Sequence, residues 1–256
     1  MIALLTLVLS VGLTPQENPA ANAVSPEIDA ILTQLEKKGD EIQDLRCKLE
    51  YRIDDRINLD ELTKYGTILF KRAQPHDMFL IHFHKLVQDD VPTEMKEWYL
   101  FKNRWFWEAK QRSASIIKRE IVAPGDKVDL FDVETAPFPV PFGQKKDHIL
   151  KNFMVSLPPP AKGDPDNTDH LACVPKPQTP LAKDFAKLEF YVSRETHLPM
   201  KIVATELDGK KVTTATFADV VLSAGLTDKD FGEPPEWKKY SVVEEPLPKP
   251  QVPPGG

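Results

Sequence analysis

Few side chains in this chain are spaced for chemistry. His82 and His84 alternate along one run, which puts both imidazoles on one side of a strand, a spacing that could hold a metal ion. No cysteine or carboxylate completes the set within that run. Asp89 and Asp90 follow it, but two histidines on the polar side of a strand are more often ordinary surface residues. His76-Asp77 could be an acid–base pair, although such a dipeptide is more often part of a turn. Trp98, Tyr99, Trp105 and Trp107 crowd into one stretch and could hold carbohydrate or lie at a membrane interface, but such a cluster is more often core, at least in part. The chain has two thiols, Cys47 and Cys173, which could form a disulfide in an oxidising compartment or stay buried and unpaired. The serine nucleophile elbow, the P-loop, the dinucleotide fingerprint and the His-Glu-x-x-His zinc motif do not occur. These residues assign no catalytic role, no metal and no cofactor, and the expectation is a binding protein rather than an enzyme.

The elements that would position a binding site begin after an apolar run from Ile2 to Leu13. The run is shorter than the roughly 20 residues a membrane span needs. It suits a secretory signal peptide, and Ala21-Asn22-Ala23 suits signal peptidase, so residues 1–23 read as a leader cleaved after Ala23. The product is expected to be a soluble envelope or periplasmic protein. Glu17 is the only charged residue before the cut, so the formal charge of −6 becomes −5. That balance argues against nucleic acid as a partner.

Residues 24–240 read as one domain. Its first segment is a helix, with Ser25 as cap, Pro26 in the first turn, and Ile28, Ile31, Leu32 and Leu35 on one stripe. Lys37-Lys38-Gly39 ends it. About ten short antiparallel strands follow, separated by turn residues. Asp208-Gly209 predicts a two-residue hairpin loop that places Met200 opposite Phe217 and Ile202 opposite Ala215. Between two groups of strands lies a proline-rich flap that opens at Ala136-Pro137-Phe138-Pro139-Val140-Pro141-Phe142-Gly143. A short helix from Lys145 to Val155 is expected to follow, with Ile149, Leu150, Phe153 and Met154 on one face. Residues 241–256, rich in proline, read as a disordered tail.

Strand alternation then defines a face. Ile68, Phe70 and Arg72 share one side of their run, and Phe79, Ile81 and Phe83 share one side of the next, against His82 and His84. Leu188, Phe190 and Val192 oppose Lys187, Glu189 and Tyr191. One face is therefore greasy and the other wet. Two small helices must cover a wide sheet, so either the sheet packs tightly on itself or an apolar hollow remains.

In order along the chain, these elements resemble the LolA-type lipoprotein carriers, whose wider superfamily includes LppX-like lipid carriers and the lipid-sensing domain of RseB. Three parts carry the resemblance. They are Gly66-Thr67-Ile68-Leu69-Phe70-Lys71-Arg72 with Pro75, the proline-rich flap with its helix, and Leu188 to Pro235 with His197-Leu198-Pro199, Asp208-Gly209, Phe231 and Pro234-Pro235. The resemblance implies a mainly β, curved antiparallel half-barrel, covered by the N-terminal helix and the flap as a lid, with an acyl-chain cavity. Its candidate lining is Ile68, Phe70, Phe79, Ile81, Phe83, Leu188, Phe190, Met200, Ile202 and Phe217. Its candidate lid residues are Phe138, Phe142, Ile149, Leu150, Phe153 and Met154. Arg72 matches the family's lid-latching arginine, although Ala73-Gln74 separates it from Pro75. The partners implied are lipid or lipoprotein acyl chains, an inner-membrane release complex and an outer-membrane acceptor, met by a monomeric carrier or chaperone. A lipid-sensing module is the rival reading, and an envelope enzyme with an unrecognised site is a more distant one.

Overall fold

The computed structural model describes residues 24–126 and 142–248. The leader, its cleavage site and Phe138 of the lid set lie outside them. Helix α1 spans Pro26–Glu41. The Ser25 hydroxyl accepts from the Ile28 amide, and Ile28, Leu32 and Leu35 form the buried stripe.

Six strands follow as a meander: β1 (Asp44–Asp55), β2 (Asp60–Lys71), β3 (Met78–Gln88), β4 (Val91–Lys102), β5 (Trp105–Lys110) and β6 (Ser115–Glu120). Helix α2 (Lys146–Asn152) leads into a second meander: β7 (Phe153–Ser156), β8 (Thr168–Pro175), β9 (Phe185–Ser193), β10 (Pro199–Glu206) and β11 (Lys211–Leu222). β11 pairs with β1 and joins the two meanders. β12 (Ser241–Glu245) adds to β6 in parallel. The result is one open sheet of 12 strands, with β12 and β7 at its edges and every other pairing antiparallel.

Bulges bend it. The register shifts between Arg46 and Lys48, between Phe83 and Lys85, and between Pro199 and Lys201. Gly66 sits beside another shift, where a Cβ would lie 2.6 Å from the His82 carbonyl oxygen, so a side chain there would push the two strands apart. The architecture is thus the curved, mainly β half-barrel with helices expected from the sequence.

Several local expectations need correction. Among the described residues the strands number 12 rather than about ten, and Ser241–Glu245, read as tail, form β12. The helix of the flap ends at Asn152, not Val155, because the chain becomes extended at Phe153 to pair with β8. Strand alternation then turns Met154 away from Phe153, and its side chain is exposed. The β10–β11 register does place Ile202 opposite Ala215, but the connection takes Leu207 to Lys210 rather than two residues.

The two-face reading also changes. On the convex side of β3 to β6, Met78, Trp98, Leu100, Ala109 and Ile116 form a second apolar cluster. The chain between β11 and β12, here called the strap, crosses that cluster and buries Phe231 and Trp237 in it. His82 belongs to this side, with its ring stacked on Trp98 at 5.0 Å.

Candidate functional site

The concave face is built by alternation on paired strands. Ile68 pairs with Ile81 and Phe70 with Phe79, and Gly66 opposite Phe83 leaves room for that ring. On the central strand Leu45, Cys47 and Leu49 face the same way, and β4 and β5 add Phe101 and Phe106. Phe217 of β11 completes this half. The other half holds Leu188, Phe190, Leu171 and Cys173 from β8 and β9, against Ile28, Leu32 and Leu35 of α1. Ile202 touches both halves. Nine of the ten lining candidates therefore come together on one concave surface. Met200 does not, because the bulge between Pro199 and Lys201 turns it out to 38% exposure.

The lid candidates divide in the same way. Phe142 is 1% exposed and packs edge-on against Phe217, with ring centroids 5.1 Å apart. Ile149 and Phe153 are buried beside α1, and Leu150 packs partly against the same cluster. Met154 takes no part. Flap and helix meet backbone to backbone at two glycines, since a Cβ on Gly39 would lie only 2.0 Å from the Gly143 Cα. Around this crossing Lys145 pairs with Asp40 at 2.5 Å, and Lys146 pairs with Asp29 at 2.6 Å. Such exposed pairs contribute at most about 1 kcal/mol each. The apolar contacts therefore hold flap and helix together, and the charges set their register.

Arg72 lies at the end of this face. Its Nε donates to the Ile42 carbonyl at 2.9 Å and a terminal nitrogen donates to the Gly39 carbonyl at 3.3 Å. The Asp77 carboxylate stands 3.5 Å from the guanidinium and accepts from the Ala73 amide. Arg72 thus ties the end of α1 to the sheet, bonding the Ile42 carbonyl and sharing the Gly39 carbonyl with the Ile42 amide, which donates to it at 3.2 Å. The Ala73-to-Asp77 turn supplies the counter-ion.

The surface is closed. Ile68, Phe70, Phe79, Ile81 and Phe83 are 0–2% exposed, so their side chains pack into a filled core instead of bounding a solvent-filled hollow. At its rim Lys64 and Glu97 pair at 2.7 Å, and the Tyr99 hydroxyl donates to Glu97. Burial, with Glu97 next to it, pushes the Tyr99 phenol well above its ordinary pKa and keeps it a neutral donor. Cys47 and Cys173 are free and buried, with both thiols pushed up to about 12 by burial, so both behave as apolar packing groups. Among the described residues no group of three or more His, Cys, Asp or Glu side chains could hold a metal. No helix among them is long and apolar enough to cross a membrane.

Sequence reasoning overlooked several contributors. Leu45, Cys47 and Leu49 alternate and were readable as a strand face. The glycine crossing and the strap carry no periodic signal, since a backbone contact and isolated aromatics between prolines leave no repeat to detect.

No protein-family model and no curated protein matches the chain. Solved structures do. A conserved protein from Thermus thermophilus is 13% identical, with a TM-score of 0.50 over 86% of this chain and 99% of its own. MucB in the Pseudomonas aeruginosa MucA/MucB complex is 12% identical over 82% of this chain and 62% of its own, with a TM-score of 0.43. A LolA superfamily protein from Nitrosomonas europaea is 13% identical over 82% of this chain and 99% of its own, with a TM-score of 0.36. The likeness is one of architecture, and at that level the chain shares with the Thermus thermophilus protein an open, mainly antiparallel half-barrel, here with its concave face covered by helices.

Proposed function

We propose that this protein binds the acyl chains of a lipid or lipidated partner on its concave face, as an exported carrier of the cell envelope without catalytic activity. One observation carries the reading. A continuous apolar surface from β1 to β5 and β8 to β11 is covered by separate helices and Phe142, instead of by closure of the sheet. A cover of that kind can be exchanged for a ligand.

The energies are comparable. Burying Ile28, Leu32 and Leu35 contributes roughly 1.5–3 kcal/mol each. An acyl chain contributes about 0.8 kcal/mol per buried methylene, on the order of 10 kcal/mol in all. A chain that displaces the helix stripe therefore replaces like with like, and loading and release both remain accessible. Transfer needs no bond making, which agrees with the lack of a nucleophile–base pair among the residues singled out for chemistry. A donor complex at one membrane and an acceptor at another would complete the carrier's task.

Organic extraction of protein purified from an envelope fraction, followed by mass spectrometry, tests the reading. The expected outcome is near-stoichiometric lipid or lipopeptide. A lipid-free extract, together with failure of the protein to bind a fluorescent fatty acid, would remove it.

A further inference from the structure

We propose that the convex face carries a second, separate binding site, a groove between the strap and β5 that takes a phosphorylated sugar or polyol. It is a half-open groove with a volume of about 690 Å³, within the range of small-molecule clefts. It is lined by Trp105 and Trp107, at alternate positions on the convex side of β5, and by Gly232 and Glu233 of the strap, which the buried Phe231 anchors. The floor is held in place by the fold. Trp107 stacks on the strap's Trp237 with centroids 5.7 Å apart and the planes 24° from parallel. Flat aromatic faces suit the C–H faces of a sugar ring or polyol, which offer apolar contact with little else to hold.

The rim supplies the opposite chemistry. Lys102, Arg104 and Lys118 line the groove against one carboxylate, Glu233. The Lys118 ammonium lies over both rings, 4.4 Å from the centre of Trp105 and 4.8 Å from that of Trp107, so the cation is part of the aromatic floor. Lys118 is also paired with Glu244, and Arg104 with Glu120. Lys102 differs. Its hydrogen bonds go to the carbonyls of Asp228 and Phe231 at 3.2 and 3.4 Å, and the Asp228 carboxylate, paired with Lys71, is near enough to feel its charge. An ammonium oriented by carbonyls, with donor capacity left over, favours an anion with several acceptor oxygens. Asn103 and Glu233 remain to bond hydroxyl groups. The combination of an aromatic floor, a cationic rim and a few hydroxyl partners fits a phosphate carried on a polyhydroxylated body. The same chemistry occurs in a free sugar phosphate and in an inositol lipid headgroup.

Intrinsic tryptophan fluorescence of the full chain would be followed during titration with glucose 1-phosphate, glucose and inorganic phosphate, and with vesicles of phosphatidylinositol or of phosphatidylcholine. A saturable change with glucose 1-phosphate identifies a free ligand, and one confined to phosphatidylinositol vesicles identifies a headgroup. Glucose and inorganic phosphate, each offering half of the recognition, should bind at least about tenfold more weakly. Trp105→Leu and Lys102→Met should each weaken binding about tenfold or more, with circular dichroism unchanged. If Lys102→Met loosens the strap, Arg104→Gln provides the equivalent reading. The Trp105→Leu arm also separates this groove from the concave face, where that substitution should leave fatty-acid binding intact. The proposal fails if neither probe gives a saturable change, if inorganic phosphate binds as well as the sugar phosphate, or if the variants bind like the parent.

Discussion

Arg72 donates through its guanidinium to the Ile42 carbonyl and, beside the Ile42 amide, to the Gly39 carbonyl at the end of α1. A hydrogen bond from a charged group contributes about 1.5–3 kcal/mol, more than the exposed ion pairs of Lys145 and Lys146 beside it. Leucine would fit the half-buried site but could not donate, which would take the side-chain donor from the Ile42 carbonyl and leave the Gly39 carbonyl with the Ile42 amide alone. The end of α1, where Gly39 meets Gly143, should then release more easily. Arg72→Leu is expected to keep the circular dichroism spectrum and to speed fluorescent fatty-acid exchange about tenfold or more. Equal rates in two folded proteins would leave Arg72 no part in holding the cover. Its position at a strand end was legible in the sequence as a candidate latch. Its acceptors were not, because they are backbone atoms of an element about thirty residues earlier.

At the scale of elements, what could be read depended on whether a residue belonged to a regular repeat. Phe79, Ile81 and Phe83 alternate, and β3 places them on the concave face. Met200 belongs to the same alternation, but a bulge, which spacing does not encode, turns it outward. Phe231 and Pro234-Pro235 of the strap were singled out in the sequence, but their packing role was not, because Phe231 and Trp237 stand alone among prolines and charges, yet they close the convex cluster. That closure involves a titratable ring. His82 stacks on Trp98, which meets Trp237 at 5.9 Å. Burial lowers the His82 pKa below its ordinary 6.5; His84 and Lys96 add to the shift, and Glu236 on the strap opposes it. The folded protein therefore binds a proton less readily than the unfolded chain. His82's contribution is complete above about pH 6.5 and is lost as the pH falls from there through the lowered value. Melting temperatures taken from about pH 7.5 down to about pH 5 should decline more steeply for the parent than for His82→Phe, which keeps the stack and removes the titration. Parallel slopes in the two proteins would show that the convex cluster does not respond to this proton.

For the whole molecule, a filled concave face constrains how a ligand can arrive. Phe70, Phe79 and Phe101 are at most 1% exposed, and Phe142 covers Phe217. An acyl chain therefore has no open surface to land on, and the sheet is too extensively paired to part. The movable layer consists of α1, α2 and Phe142, which meet the sheet through apolar side chains. Opening must expose both the helix stripe and the sheet face at once, so the open form is a minor state and the closed form its reservoir. This arrangement has a kinetic signature. At low ligand the observed loading rate should rise with concentration, and at high ligand it should level off at the rate of opening, because the closed form cannot bind. Stopped-flow mixing with excess fluorescent fatty acid, below its micellar concentration, measures this directly. A linear rise over the whole range would mean that the concave face is open in the free protein. The height of the plateau identifies the barrier. If it is the release of the α1 end, Arg72→Leu raises the plateau and leaves the initial slope changed only in proportion to the open population. If the plateau is the same in both proteins, the slow step lies elsewhere in the cover, and the contact between Phe142 and Phe217 is the next to test.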